Sequence, residues 1–277
     1  MLVVITGATA GIGLSCVKAL IAEGHEVIGM ARGEDALRDL EKECPGFKGL
    51  RCDIADAGDL EALGDRLREI AGERPLDVLV NNAGYGAAGP VELVSLADWK
   101  AQYDTNLFGT VGVIQAALPL LRRSSRARII NVSSLAGDIY VPFFAPYYST
   151  KHALNCITNA LRLELREQGI DVVSVCPGAV KTGFASSEDA MLESFAEESS
   201  LYRAGIGRII RWHKRLVKDG IEAEDVRDVV LKAIHSERPK NRYLVPAFPA
   251  VLILPILSLL PDRAGDALLT RLTSVKD

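Results

Sequence analysis

Cysteine is scarce in this chain and histidine scarcer. The five cysteines (16, 44, 52, 156 and 176) are odd in number and contain no C-x-x-C pair. That pattern argues against a disulfide framework and for a reducing compartment, where such residues pack as small hydrophobes. The four histidines show no ligand spacing, so no metal site is expected. Positive charge is not in excess either: 32 Lys and Arg against 36 Asp and Glu leave a net charge of −4, which argues against a globally basic nucleic-acid binder. Long apolar runs are missing as well. The stretch from Leu244 to Leu260 is interrupted by Pro246, Pro249 and Pro255, a poor start for a spanning helix. Leu2-Val3-Val4-Ile5 runs straight into glycines without a charged region before it, so no secretory leader is expected. What remains is a chain of 277 residues, 48% hydrophobic and 25% charged, enough for one large core and too apolar for disorder. The expectation is a cytoplasmic globular protein.

Short apolar runs alternate with longer amphipathic stretches. Leu2–Thr6, Glu26–Met30, Lys48–Cys52, Leu76–Asn81, Arg128–Ser133 and Asp171–Cys176 read as buried strands. Between them, Gly13–Glu23, Glu34–Glu43, Asp59–Ala71, Trp99–Arg122 and Tyr147–Gln168 carry helical spacing. The alternation predicts an α/β fold: a doubly wound parallel sheet with helices on both faces, in a single domain over residues 1–277. After Pro177 a polar, helical insert covers about 183–220, acidic first and basic later. A helix (Glu222–Ser236), a short strand (Arg242–Val245) and an apolar tail (246–277) follow.

Thr6-Gly7-Ala8-Thr9-Ala10-Gly11-Ile12-Gly13 joins the first strand to the first helix. Glycines there permit a tight turn and close approach of backbone N–H groups to a pyrophosphate, with the positive end of the helix behind them. The same glycines would serve any tight strand–helix turn. In such folds an acid at the end of the second strand favours NAD, and an arginine accommodates the 2′-phosphate of NADP. Here that strand ends Gly29-Met30-Ala31-Arg32, which favours NADP(H) over NAD(H), while Glu34 and Asp35 close by would favour NAD if the loop bent differently.

Tyr147 and Lys151 are four residues apart behind Pro146, a good helix start, and so share one helix face. A nearby ammonium lowers a phenol's pKa toward a range useful for proton transfer. Tyr148 has His152 rather than lysine at that spacing, so Tyr147 is selected.

With Thr6-Gly7-x-x-x-Gly11-Ile12-Gly13, Asn81-Asn82-Ala83-Gly84, Asn106, Asn131-Val132-Ser133-Ser134, Tyr147-x-x-x-Lys151 and Pro177-Gly178 in this order, the sequence resembles the short-chain dehydrogenase/reductase family over residues 1 to about 184. The resemblance implies a Rossmann-type sheet and a set of roles. Tyr147 would be the general acid/base, and Ser134, with Ser133 as its neighbouring candidate, would hydrogen-bond the reacting oxygen. Lys151 would lower the tyrosine pKa and hold the nicotinamide ribose, and Asn106 would position a relay water. The dinucleotide would be held by Gly7, Thr9, Gly11, Ile12, Gly13, Arg32, Asp53, Ile54, Asn82, Gly84, Tyr147, Lys151, Val180 and Thr182. A homodimer or homotetramer assembled through the two long helices is also implied.

The insert would form a lid over substrate. Its second half, Arg203 to Lys218, holds six Lys or Arg among apolar residues. That stretch fits either a peripheral contact with a membrane or other anionic partner, or a solvated face balanced by the acidic half before it. The apolar tail and the stretch Val141–Leu154 resemble the retinol and hydroxysteroid dehydrogenase-like branch, which acts on bulky apolar alcohols and ketones. Phe143 and Phe144 are candidate pocket walls or core. The expected activity is NADP(H)-linked interconversion of an apolar secondary alcohol and ketone. A 3-oxoacyl or small-ketone reductase, a non-catalytic NADP(H)-binding sensor and a membrane-surface scaffold are the alternatives.

Overall fold

The computed structural model describes residues 1–246, 248, 250 and 259–273. Seven strands form one sheet, all pairs parallel, in the order β3-β2-β1-β4-β5-β6-β7. They are β1 (Leu2–Thr6), β2 (Glu26–Ala31), β3 (Phe47–Arg51), β4 (Val78–Asn81), β5 (Arg128–Val132), β6 (Asp171–Pro177) and β7 (Arg242–Val245). The helices are α1 (Gly11–Ala22), α2 (Glu34–Glu43), α3 (Ala57–Ala71), α4 (Leu96–Tyr103), α5 (Thr110–Leu121), α6 (Ala145–Glu164), α7 (Phe184–Glu198), α8 (Arg203–Lys218), α9 (Ala223–His235) and α10 (Asp262–Thr273).

The pleat explains why the central strands β1 and β4 are buried at every position. Alternate residues of one strand face opposite sides, and both sides are covered. Val3 and Ile5 of β1 pack with Cys16, Val17 and Leu20 of α1 and Val230 of α9. Leu2 and Val4 face the other way, toward Leu63 and Leu67 of α3 and Val113 of α5. The same division holds for Val78 and Val80 against Leu79 in β4.

After β3 the chain crosses the sheet to place β4 on the other side of β1. Ligand crevices in open α/β sheets lie at such a reversal, beyond the carboxyl ends of the strands. Here that point is framed by Thr6 and Asn81.

One expectation changes. The single helix over Trp99–Arg122 is two helices, α4 and α5, joined by a π-helical segment at Asp104–Gly109. Apolar periodicity does not register one extra residue in a turn, and such bulges gather at functional positions. The insert is a helical hairpin, α7 and α8, whose apolar faces (Leu192, Phe195, Ile206, Ile209) close on Val141 and Phe144. Of the apolar tail, residues 247, 249, 251–258 and 274–277 lie outside the described residues. No helix among the described residues is long and apolar enough to cross a membrane, and all five cysteines are free thiols.

Candidate active site

A continuous cavity of about 1190 Å³ runs from the β1–α1 turn to the α7–α8 lid. At the turn, Gly7 (φ 66°) and Gly11 (φ 50°) occupy the left-handed region that side chains avoid. The N-terminus of α1 carries no side-chain cap, so its N–H groups remain free for an anion. Gly7, Thr9, Gly11 and Ile12 line the cavity, and so do Arg32, Asp53, Ile54, Asn82, Gly84, Val180 and Thr182. Uncapped N–H groups, side-chain-free turns and an arginine at the far end fit a phosphorylated dinucleotide.

Gly13 is not on the wall. A Cβ there would lie 2.1 Å from the Gly7 carbonyl oxygen, so this glycine lets α1 close on the turn. Gly13→Ala is therefore expected to destabilise the fold by about 1–3 kcal/mol, an overpacking cost read as a lower melting midpoint. An unchanged midpoint would contradict this packing. Asn82 ties the turn to β4, its Nδ2 donating to Thr6 O at 3.1 Å and Gly7 O at 3.3 Å.

The question of which charge meets the adenosine ribose is narrowed by local pairing. Glu34 and Asp35 are bridged by Arg38 at 3.5 and 2.9 Å and do not line the cavity. Arg32 does line it, from an exposed position just past β2.

At the other end, Ser134, Tyr147 and Lys151 converge on the cavity wall. Ser134 lies close enough to Tyr147 for its hydroxyl to favour the phenolate, and its Oγ donates to Pro177 O at 3.2 Å. Ser133 instead donates to Asn155 Oδ1 at 2.6 Å, so its hydroxyl is tied to α6. Lys151 places Nζ 5.7 Å from the Tyr147 ring centre and donates to Val132 O at 3.0 Å. The expected electrostatics need correction. Burial, and then the Glu188 carboxylate, push the Tyr147 phenol above its usual range, and the Ser134 hydroxyl only partly opposes them. Burial draws Lys151 down to about 8. Enclosure disfavours both charged forms, which outweighs the attraction that i,i+4 spacing suggests.

Asn106 sits in the π-helical segment and is buried. Its side chain is not on the cavity wall. Nδ2 donates to Tyr85 O at 2.9 Å and Oδ1 accepts from Tyr85 N at 3.1 Å, clamping the strand end that carries Gly84.

The lid contributes Phe184, Glu188, Trp212 and His213, none of which the sequence reading singled out as a site residue. Phe184 meets Tyr147 edge-on at 5.4 Å. The two phenylalanines separate: Phe144 is on the wall, whereas Phe143, at φ 68°, packs on Tyr202 and is not. A left-handed non-glycine backbone turns Phe143 away, and sequence gives no sign of it. Part of the tail also returns to this chain's own cavity, through Ala250, Leu269 and Thr273. Burial pushes the Glu188 carboxyl from its ordinary 4.5 up to about 8, with Asp189 adding to the effect. Between those values the folded state keeps a proton that the unfolded chain has lost, so stability falls as pH rises. In melts of the unliganded protein, Glu188→Gln should gain on the parent from pH 5 to pH 8. Parallel profiles would contradict the burial.

At the opposite end of the sheet, His25 and His235 meet Glu23 at 3.5 and 2.8 Å, a grouping on the surface that no sequence spacing signals.

Comparison with known proteins agrees with this geometry. A family model described as short chain dehydrogenase matches residues 1–193. A probable short-chain type dehydrogenase/reductase, VdlC, of Helicobacter pylori is 32% identical over 96% of this chain and 95% of its own. The NADPH-dependent 3-dehydrocapnine reductase of Ornithobacterium rhinotracheale is 31% identical over 95% of this chain and 94% of its own. A solved short-chain dehydrogenase/reductase of Burkholderia phymatum, in complex with NAD, superposes with a TM-score of 0.78 at 28% identity, covering 100% of this chain and 97% of that one. The similarity reaches the family and does not carry the retinol and hydroxysteroid branch. With the sheet reversal, the glycine turn and the Ser134–Tyr147–Lys151 wall in one cavity, the chain belongs to the short-chain dehydrogenase/reductase family of NAD(P)-linked oxidoreductases.

Proposed function

We propose that this chain is an NADP(H)-dependent oxidoreductase interconverting a ketone and a secondary alcohol on a bulky, largely apolar substrate. The observation that carries the reading is the placement of Ser134, Tyr147 and Lys151 on one wall of a cavity that continues to Arg32. NADPH supplies the hydride when bound. The chain's own groups do the rest. Tyr147, kept protonated by burial, gives its proton to the carbonyl oxygen, and the Ser134 hydroxyl stabilises charge developing there. Lys151, with Val132 O fixing its Nζ, holds the nicotinamide ribose. Asn106 keeps the loop of Gly84 and Tyr85 in place and positions the relay water that reprotonates Tyr147.

Arg32 supports NADP(H), because the competing acids Glu34 and Asp35 are engaged by Arg38. The NADPH-dependent relative points the same way, and the NAD-bound one points the other way. Val141, Phe144, Phe184, Trp212 and Leu216 on the wall support a bulky apolar substrate, steroid-, retinoid- or lipid-like. Exposed Phe108 and Leu163, on the π-helical segment and α6, support a homodimer or homotetramer through those elements. Free thiols support work in the cytoplasm. On α8, Ile206 and Ile209 face the core, Lys214 bridges Glu193 at 3.0 Å and Arg203 donates to Ala196 O at 2.9 Å, so Arg208 and Lys218 are exposed basic residues that support a membrane contact.

The test is label transfer. NADPH deuterated at the nicotinamide C4 position should deliver deuterium to the carbinol carbon of a product alcohol, read by mass spectrometry. Product without label would overturn the reading.

A further inference from the structure

Glu188 is the buried carboxylate that neither the acid/base set nor the dinucleotide cradle uses. It is 3% exposed and reaches the cavity wall from α7, near enough to Tyr147 and Tyr148 to raise both phenols. The loop opposite makes room for it: a Cβ on Gly86 would lie 2.0 Å from Glu188 Oε1. Its ion-pair partner is His213 of α8, whose Nε2 is 3.4 Å away, and His213 Nδ1 is 2.8 Å from Asp189. Two carboxylates thus share one imidazole. With all three ionised, the cluster still carries a negative charge.

The ion pairs of the described residues give neither carboxylate a lysine or arginine. Lys214, the basic residue next to His213, goes to Glu193. Arg215 is the other basic residue that α8 brings to the cavity, two positions beyond His213. From α6, the titratable groups near Glu188 are Tyr147 and Tyr148, both acceptors or neutral donors. The cavity wall that the lid and α6 loop build around them also carries Phe144, Phe184 and Trp212. A buried carboxylate in apolar walls is costly unless a cation completes it.

We propose that Glu188 anchors an ammonium group, so that the substrate is a ketone carrying a basic amine within a few bonds of its carbonyl and an aliphatic chain beyond. This inference rests on the ketone-reducing reading above. Tyr147 and Ser134 fix the carbonyl oxygen, and Glu188, on the neighbouring wall, takes the nitrogen. The amine is unchanged by the reaction: hydride adds to the carbonyl carbon, the Tyr147 proton goes to oxygen, and NADPH leaves as NADP⁺. Asp189 is a positioning residue that orients His213.

A matched pair of ketones tests it: dimethylaminomethyl decyl ketone, and isobutyl decyl ketone, in which a CH replaces the nitrogen. The parent protein should favour the amino ketone in kcat/KM by about tenfold to a hundredfold, the range for a charged hydrogen bond. Glu188→Gln should abolish that preference, and Glu188→Asp should keep part of it. Binding of the two product alcohols to the NADPH-loaded protein, read by Trp212 fluorescence, should show the same ratio without requiring turnover. Equal treatment of the two ketones by the parent overturns the anchor while leaving the reductase standing, and this comparison needs no variant. A preference that survives in Glu188→Gln overturns it too. Preferential binding of the amino alcohol with neither ketone reduced supports the anchor and refutes the reductase.

Discussion

Replacing Tyr147 with phenylalanine is expected to lower ketone turnover by about 10²- to 10⁴-fold, the usual worth of a positioned general acid, while NADPH still binds. The phenol oxygen is the single heavy atom removed, and it is the one that faces Ser134 across the cavity wall. The ring itself packs against Phe184 and Tyr148, contacts that phenylalanine preserves. A loss of affinity for the cofactor would mean that the ring had moved. Full turnover in this variant would overturn the assignment of Tyr147 as acid and place the proton donor on another group. Steady-state kinetics beside a fluorescence titration with NADPH separates these cases.

Arg32→Asp should produce the second large effect, this time on cofactor choice. A guanidinium bonded to phosphate contributes about 1.5–3 kcal/mol, so its removal weakens NADPH binding by about tenfold to a hundredfold. An aspartate adds repulsion toward the phosphate and offers NADH an acceptor for its ribose hydroxyl. Arg32 is exposed, so the variant should fold normally. Titration with both cofactors checks this. An unchanged ratio of NADPH to NADH affinity would assign the selection to another group, with Glu34 or Asp35 released from Arg38 as the first to test.

How much of this was legible in the sequence depends on how local the signal is. β1, α2 and β7 have the bounds that apolar runs and charges predict, β1 because a central strand covered on both faces must be apolar along its length. The glycine turn and the Tyr147–Lys151 spacing are local as well. Four features were not readable, each for its own reason. The π-helical turn at Asn106 leaves apolar periodicity nearly unchanged. The backbone of Phe143 is left-handed and its ring packs on Tyr202, a residue distant in sequence at the start of α8. Glu188 and His213 are 25 positions apart on two helices of a hairpin, and within their own helices each looks like an ordinary polar residue. The direction of the Tyr147 shift was also beyond sequence. Spacing gives the lysine, but the enclosure that reverses its effect comes from β5, α6 and the lid together.

The central claim is that one cavity joins an NADP(H) cradle to a tyrosine acid and a large substrate space. The most direct measurement is NADPH consumption, with NADH in parallel, across steroids, retinal, 3-oxoacyl thioesters, small ketones and long-chain ketones. The account predicts turnover of a bulky apolar ketone with NADPH preferred. Tight NADPH binding with no turnover of any carbonyl would contradict it, leaving a dinucleotide-binding fold without the chemistry.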